Sequence, residues 1–268
     1  MSKSEEVTPD GEQNIIKVLD HGYVRLIKWM GDDLDPVNAA KVSFDKESAE
    51  FGEKEARLLG FLAREEHTSV FRHSALTYEI YAPLFVARQW FKYAVASSHM
   101  EDQLGWNESS RRYVTEEPTF YVPAPNEWRT SPENKKQGSG EPMMSIADPV
   151  VFNSLSGSMG TRSWNGDYIA TPKDYGNYWT AALEAYIAEG VLHYDQAMEA
   201  NIAPEIARLF LPAYGMYVRW RWTASLGAVM HFLHQRLEHD AQVEIQDYAK
   251  ATRDLTAGPF KECMRIIS

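Results

Sequence analysis

The chain has 268 residues, 44% of them hydrophobic and 24% charged, enough to bury a full core without disulfides or metals. Its net charge of −11 disfavours tracking along a phosphate polymer, an affinity that rests on clustered Lys and Arg releasing counterions, and its lone Cys263 excludes an intrachain disulfide or a cysteine zinc site. No apolar run approaches the roughly 18 residues of a membrane span, and the polar, acidic start MSKSEEVTPDGEQ is unlike a signal peptide. The expectation is a soluble, cytoplasmic protein with no membrane and no polynucleotide partner.

In chain order, NIIKVLDHGYVRLIKWMG alternates β-branched and aromatic residues and reads as strands, followed by a helix at DPVNAAKVSF. GEKEARLLGFLAREE is an amphipathic helix. In SALTYEIYAP, Leu76, Tyr78 and Ile80 fall on one face of a strand, and Pro83 is placed to open the helix that carries RQWFKY. A polar turn is expected to follow that helix. Residues 129–177 are rich in Gly, Ser, Asn and Pro and weak in periodicity, which suggests an insertion or flap within a single domain over 1–268. Regular structure resumes with NYWTAALEAYIAEGV. APEIARLFLP is a short helix stopped by Pro212, MYVRWRWTA is an alternating strand, and LGAVMHFLHQRLEHDAQVEIQDYAKATRDL is helical, with an amphipathic tail behind it. The class is α+β, helix-rich, with a central, mostly antiparallel sheet.

One stretch carries more polar chemistry than a core needs. Arg88 and Lys92, like Gln89 and Tyr93, stand four apart and project together from a helix. Beyond them Asn107, Glu108, Ser109, Ser110, Arg111 and Arg112 crowd donors and acceptors into one segment, a density that suits a multidentate polar ligand. His231, His234 and Glu238 share a helical face, but His and Glu on such a helix ordinarily form its polar side and no HExxH pattern accompanies them, so no metal is expected.

The ordered series VLDHGYVRLIKWMGDD, ARQW, NESSRRY, FYVPAP, EIARLFLP and MHFLHQR followed by AQVEIQDYA resembles the flavin-dependent thymidylate synthase (ThyX) family over most of the chain outside the insertion. The resemblance implies a ThyX-like fold, a homotetramer with active sites shared between subunits, and one-carbon transfer from methylenetetrahydrofolate to C5 of dUMP, with FAD carrying reducing power from NADPH. It implies that Gln89, Glu108, Ser110, Arg112, Arg208 and Arg236 bind the nucleotide, guanidinium groups suiting a phosphate and a polarised carbonyl. On chemical grounds catalysis is expected of Arg236, as a charge stabiliser for C5 attack, and of Glu108 as a proton carrier, a role also open to Tyr93, His231 and Asp240.

On the cofactor side the resemblance points to His67, Ser69, Lys92, Tyr93, His231 and Asp240, and here the sequence departs from the family pattern. Lys92-Tyr93-Ala94 stands where the family has Arg-His-Arg, SSHMEDQLGW is an added loop, and Arg72 replaces a carboxylate. Ser225, Gly227, His231 and Asp240 stand where the family has Asn, Arg, Asn and His in contact with the flavin. Three outcomes stay open: thymidylate synthesis with rebuilt flavin contacts, flavin-independent 5-hydroxymethylation of dUMP or dCMP, and a non-catalytic nucleotide-binding homologue. Cys263 lies in the amphipathic tail and reads as a core thiol, not a nucleophile.

Overall fold

A computed structural model describes residues 14–95, 103–109, 117–132, 138–142, 150–153, 167–170 and 172–266. The chain divides into two compact units, one formed by residues 1–119 with 216–268 and the other by residues 120–215.

The first unit is built on five antiparallel strands in the order β1-β2-β3-β7-β4. These are β1 (Ile15–Val18), β2 (Gly22–Met30), β3 (Ala75–Pro83), β4 (Gln103–Glu108) and β7 (Tyr217–Ser225). Alternation decides which face goes inward. Leu76, Tyr78 and Ile80 of β3 are buried beside Trp222 and Trp220 of β7, their register partners from Tyr78 and Ile80. The opposite face carries the ladder Arg25, Glu79 and Arg221 on β2, β3 and β7, with ion pairs of 3.7 and 3.4 Å to Glu79. Gly22 is required at the start of β2. A Cβ there would stand 1.8 Å from the Tyr248 hydroxyl, which donates to the Tyr81 carbonyl at 2.8 Å.

Helices cover the apolar face: α3 (Leu84–Val95), α6 (Leu226–Arg236) and α7 (Val243–Thr256), with α1 (Leu34–Lys41) and α2 (Glu53–Arg64) at one end. α6 starts where Ser225 Oγ accepts from the Ala228 N–H at 3.2 Å, an N-cap bond that satisfies one otherwise orphaned amide. It then buries Leu226, Val229, Phe232, Leu233 and Arg236, a helical stripe ending on a cation. Trp90 of α3 is fully buried, stacked on Phe232 at 4.3 Å and edge-on to Trp220 and Trp222 at 5.6 and 5.5 Å. This aromatic packing locks α3, α6 and β7 together.

The structure departs from the expected elements in four places. Pro83 does not open α3. It closes β3 opposite Tyr217, and Leu84 is the first helical residue. The expected turn after α3 contains strand β4, with Asn107 opposite Arg221 and Glu108 opposite Trp220. The open edge of β7 supplies backbone partners for this segment, and Trp106 fills the space over Trp220 (5.2 Å) and Phe91 (4.7 Å). The C-terminal helical stretch divides into α6 and α7 around residues 237–242. α4 (Pro172–Glu199) begins before residue 177, and a hairpin of β5 (Val150–Asn153) and β6 (Asp167–Ala170) lies inside the expected insertion.

The second unit holds that hairpin, α4 and the short helix α5 (Pro204–Ala207), which runs into a 3-10 turn at Arg208–Phe210. Trp128 Nε1 donates to Thr180 Oγ1 at 2.9 Å, and that hydroxyl donates to the Pro123 carbonyl at 2.8 Å. A tail helix, α8 (Lys261–Met264), belongs to the first unit. Asp33 accepts from the N–H groups of Glu262 and Cys263, both at 2.9 Å.

Candidate functional site

The polar corner of the first unit forms where the last residue of α6 meets the middle of α3. Arg236 is 7% exposed. Its Nη2 donates to the backbone carbonyl and to Oε1 of Gln89, each at 3.3 Å. Lys92 Nζ, one turn further along α3, donates to the same Oε1 at 3.5 Å. The two helices are held in place by Trp90 and Phe232, so the geometry of these polar groups is set by the core beneath them. Gln89 and Arg236, far apart in sequence, therefore meet. Lys92, placed by the sequence with the cofactor residues, also meets Gln89. The signal for that contact was the i,i+3 spacing of Gln89 and Lys92, which the four-apart pairs overshadowed.

Glu108 ends β4 and is exposed. It shares a strand face with Trp106, and Trp106 lies against Phe91 of α3, so Glu108 is on the side of the sheet that carries α3. The Ser109 N–H donates to the Arg219 carbonyl at 2.8 Å, extending the pairing by one residue. Ser110 and Arg112 lie outside the described residues, as does the side chain of Tyr93. Arg208 is exposed in the second unit, between Ile206 and Leu209, whose side chains are exposed as well.

The remaining cofactor candidates sit at the start of α6, along it and beyond its end. His67 and Ser69 are exposed around the 3-10 turn Thr68–Arg72, with the His67 ring stacked on Phe61 at 5.9 Å. This turn packs against the first residues of α6, where a Cβ on Gly227 would stand 3.4 Å from that of Phe71. Gly227 and Arg236 are nine residues apart, about 14 Å along the helix, with His231 between them and Asp240 four residues beyond Arg236. His231 and Asp240 are exposed. Partial burial, and then the neighbouring His234, hold the His231 imidazole below its usual value, so it is neutral at pH 7. Among the described residues no three His, Cys, Asp or Glu side chains are grouped to hold a metal ion. Cys263 is fully buried, and burial followed by Asp33 pushes its thiol well up, which removes it as a nucleophile at neutral pH.

An antiparallel sheet with one helix-covered face defines an α+β protein, with a corner where guanidinium, amide and ammonium groups converge. The comparisons narrow that class. The model of the family described as thymidylate synthase complementing protein matches residues 25–258, and the chain belongs to that family. A flavin-dependent thymidylate synthase of Treponema denticola is 32% identical over 87% of this chain and 74% of its own length. One of Thermotoga neapolitana is 33% identical over 88% of this chain and 86% of its own. The fold is that of a crystal structure of a UMP/dUMP methylase, PolB from Streptomyces cacaoi, bound with 5-Br dUMP. That structure is 23% identical with a TM-score of 0.67, covering 94% of this chain and 96% of that one.

The four positions expected to face a flavin do not suit its diphosphate. Ser225 is buried and its Oγ accepts the cap bond of α6, Gly227 has no side chain, His231 is neutral, and Asp240 is a carboxylate. Together they bring no positive charge to a group that carries negative charge. Among the described residues no helix is long and apolar enough to cross a membrane.

Proposed function

We propose that this protein is a thymidylate synthase of the ThyX type, transferring a one-carbon unit from methylenetetrahydrofolate to C5 of dUMP. The observation that carries the reading is the meeting of Gln89 and Arg236 at 3.3 Å, two residues that the family resemblance assigns to the nucleotide and that the fold alone brings together. A buried guanidinium beside the base stabilises enolate character in the pyrimidine, the electron-rich form in which C5 attacks, and it is most effective because the helix packing fixes it beforehand. Glu108, on the same side of the sheet, moves a proton at the reacting base. The family resemblance implies further nucleotide contacts from Ser110, Arg112 and Arg208, and a His67 that stacks on folate or nicotinamide.

FAD with NADPH is the reductant that the family implies. Because Ser225, Gly227, His231 and Asp240 do not fit the flavin diphosphate, no step is assigned through it. The protein acts as a homotetramer with shared sites, a reading supported by the exposed apolar side chains Ile206 (54%), Leu209 (76%) and Phe210 (49%) around Arg208. The reaction is tested by mass spectrometry of dUMP incubated with the protein and methylenetetrahydrofolate, with and without FAD and NADPH. A gain of one methyl group is expected, and the arms with and without FAD and NADPH show whether a flavin supplies the hydride. A hydroxymethyl product formed without flavin, or dUMP bound and never converted, overturns the assignment.

A further inference from the structure

Among the described residues β4 is an edge strand with β7 as its one neighbour, so a single pairing decides which way its side chains point. That pairing holds two registers. Gln103 lies opposite Ala224, but from Gly105 onward the register has moved by one residue, with Gly105 opposite Thr223, Trp106 opposite Trp222, Asn107 opposite Arg221 and Glu108 opposite Trp220. The irregularity between Gln103 and Gly105 takes up the extra residue. Were the first register to continue, Trp106 would stand opposite Arg221 and Glu108 opposite Arg219. Successive side chains of a strand point to opposite faces, so this slip would carry Glu108 from the face under α3 to the one with Arg25, Glu79 and Arg221. A slip the other way would set Glu108 opposite Arg221. Either error brings the carboxylate to an arginine, so charge works against the observed register.

Trp106 works for it. In the observed register its half-buried ring stacks on Trp220 at 5.2 Å and 20° and meets Phe91 of α3 edge-on at 4.7 Å. Either slip would turn the indole away from these rings and bring the amide of Asn107 in to replace it, a polar group set against apolar partners. An ion pair between exposed groups contributes little, whereas an indole packed on two rings contributes apolar area and favourable ring geometry together. We propose that Trp106 is a positioning residue that holds Glu108 on the side of the sheet that carries α3. The added segment SSHMEDQLGW ends on this tryptophan and so brings its own anchor. Where Glu108 sits rests on the pairing alone, and what it does there rests on the proposed transfer to dUMP.

The test uses the full chain with Asn107→Cys and Arg221→Cys, at two exposed positions directly opposite each other. Opposed residues of an antiparallel pair lie within reach of a disulfide, and the native thiol of Cys263 is fully buried. Under mild oxidation the bridge is expected to form, as read by mass spectrometry of the linked peptides. Adding Trp106→Ala is expected to remove most of the bridge, because a slip puts the two thiols on opposite faces, and Trp106→Phe to keep it. Trp106→Thr, which retains strand propensity without the ring, gives the same reading if the alanine variant does not fold. A bridge formed to the same extent without the ring overturns the anchor, and no bridge with Trp106 present overturns the register itself. In the chain without the added cysteines, Trp106→Ala is expected to lower kcat about 10²-fold, as for the loss of a positioned proton carrier. KM is expected to change little, and Glu108→Gln to add little further. If the bridge is lost while kcat holds, the positioning role and the proton carried by Glu108 fall together and the one-carbon transfer stands. If the protein converts no dUMP while the bridge responds as expected, the transfer falls and the anchor stands.

Discussion

On the inner face of α6, Val229, Phe232, Leu233 and Arg236 are buried, and the helix meets Trp90 of α3 through Phe232. On its outer face His231, His234 and Gln235 are exposed. The inner face fixes each side chain through several neighbours at once, so the chemistry of Arg236 follows from geometry. The outer face fixes only where its residues start, and what they do depends on what meets them. Arg236 belongs to the first kind of surface, and of the positions matched to the flavin His231 belongs to the second, while Ser225 is buried at the cap, Gly227 packs against Phe71 and Asp240 is exposed beyond the helix.

The sharpest way to break this contrast is to loosen the inner face. Trp90→Ala removes a fully buried ring from between Phe232, Trp220 and Trp222 and is expected to cost about 3–5 kcal/mol of stability in urea unfolding. A cost under about 1 kcal/mol would show that the aromatic packing does not position α3 on α6. Arg236→Ala is expected to lower turnover by about 10²–10³-fold, the range for removing one preorganised charge-stabilising donor, with a smaller loss in dUMP affinity. An equal loss in the binding constant alone contradicts its catalytic role.

A control lies away from both faces. Ser48 first and Lys41 second, at 2.6 and 3.0 Å, hold the Glu55 carboxyl down at about 2 from its ordinary 4.5. A pKa lowered on folding contributes stability that is complete above the ordinary value and is lost as pH falls toward the folded one. Glu55→Gln is therefore expected to reduce the fall in Tm between pH 4.5 and pH 2 while leaving nucleotide binding untouched, and an unaltered Tm profile counts against the network. The smallest effect belongs to the outer face. His231→Arg is expected to change stability by no more than about 0.5 kcal/mol, as for exposed substitutions generally, and a larger loss would place His231 in the core.

Much of this was legible in the sequence, and for identifiable reasons. Leu76, Tyr78 and Ile80 announce β3 because alternation is a local property, and Leu226, Val229, Leu233 and Arg236 announce the buried stripe of α6 for the same reason. β4 was not legible. LGWNE is short and contains Gly105, Asn107 and Glu108, types depleted in strands, and it becomes a strand because β7 has an edge to fill and Trp220 a ring to cover. The break around residues 237–242 also gave no signal, since neither Gly nor Pro stands there. In the site, Gln89 and Arg236 were named through resemblance, but that Lys92 shares the Gln89 oxygen is a fact of side-chain placement that spacing alone does not settle.

The position of β7 has a consequence for how the molecule forms. This strand lies between β3 and β4, pairing Ala75 with Ser225 and Glu108 with Trp220, although it is made after the entire second unit. On a ribosome, β3 and β4 emerge early and wait for a strand that separates them in the finished sheet. Contacts of such long sequence separation slow folding, because loop closure must precede the reward of pairing. The first unit is therefore expected to remain without fixed tertiary structure until synthesis has passed Ser225. Nascent chains stalled before Tyr217 should be digested readily by protease, and chains released after Thr256 should resist it.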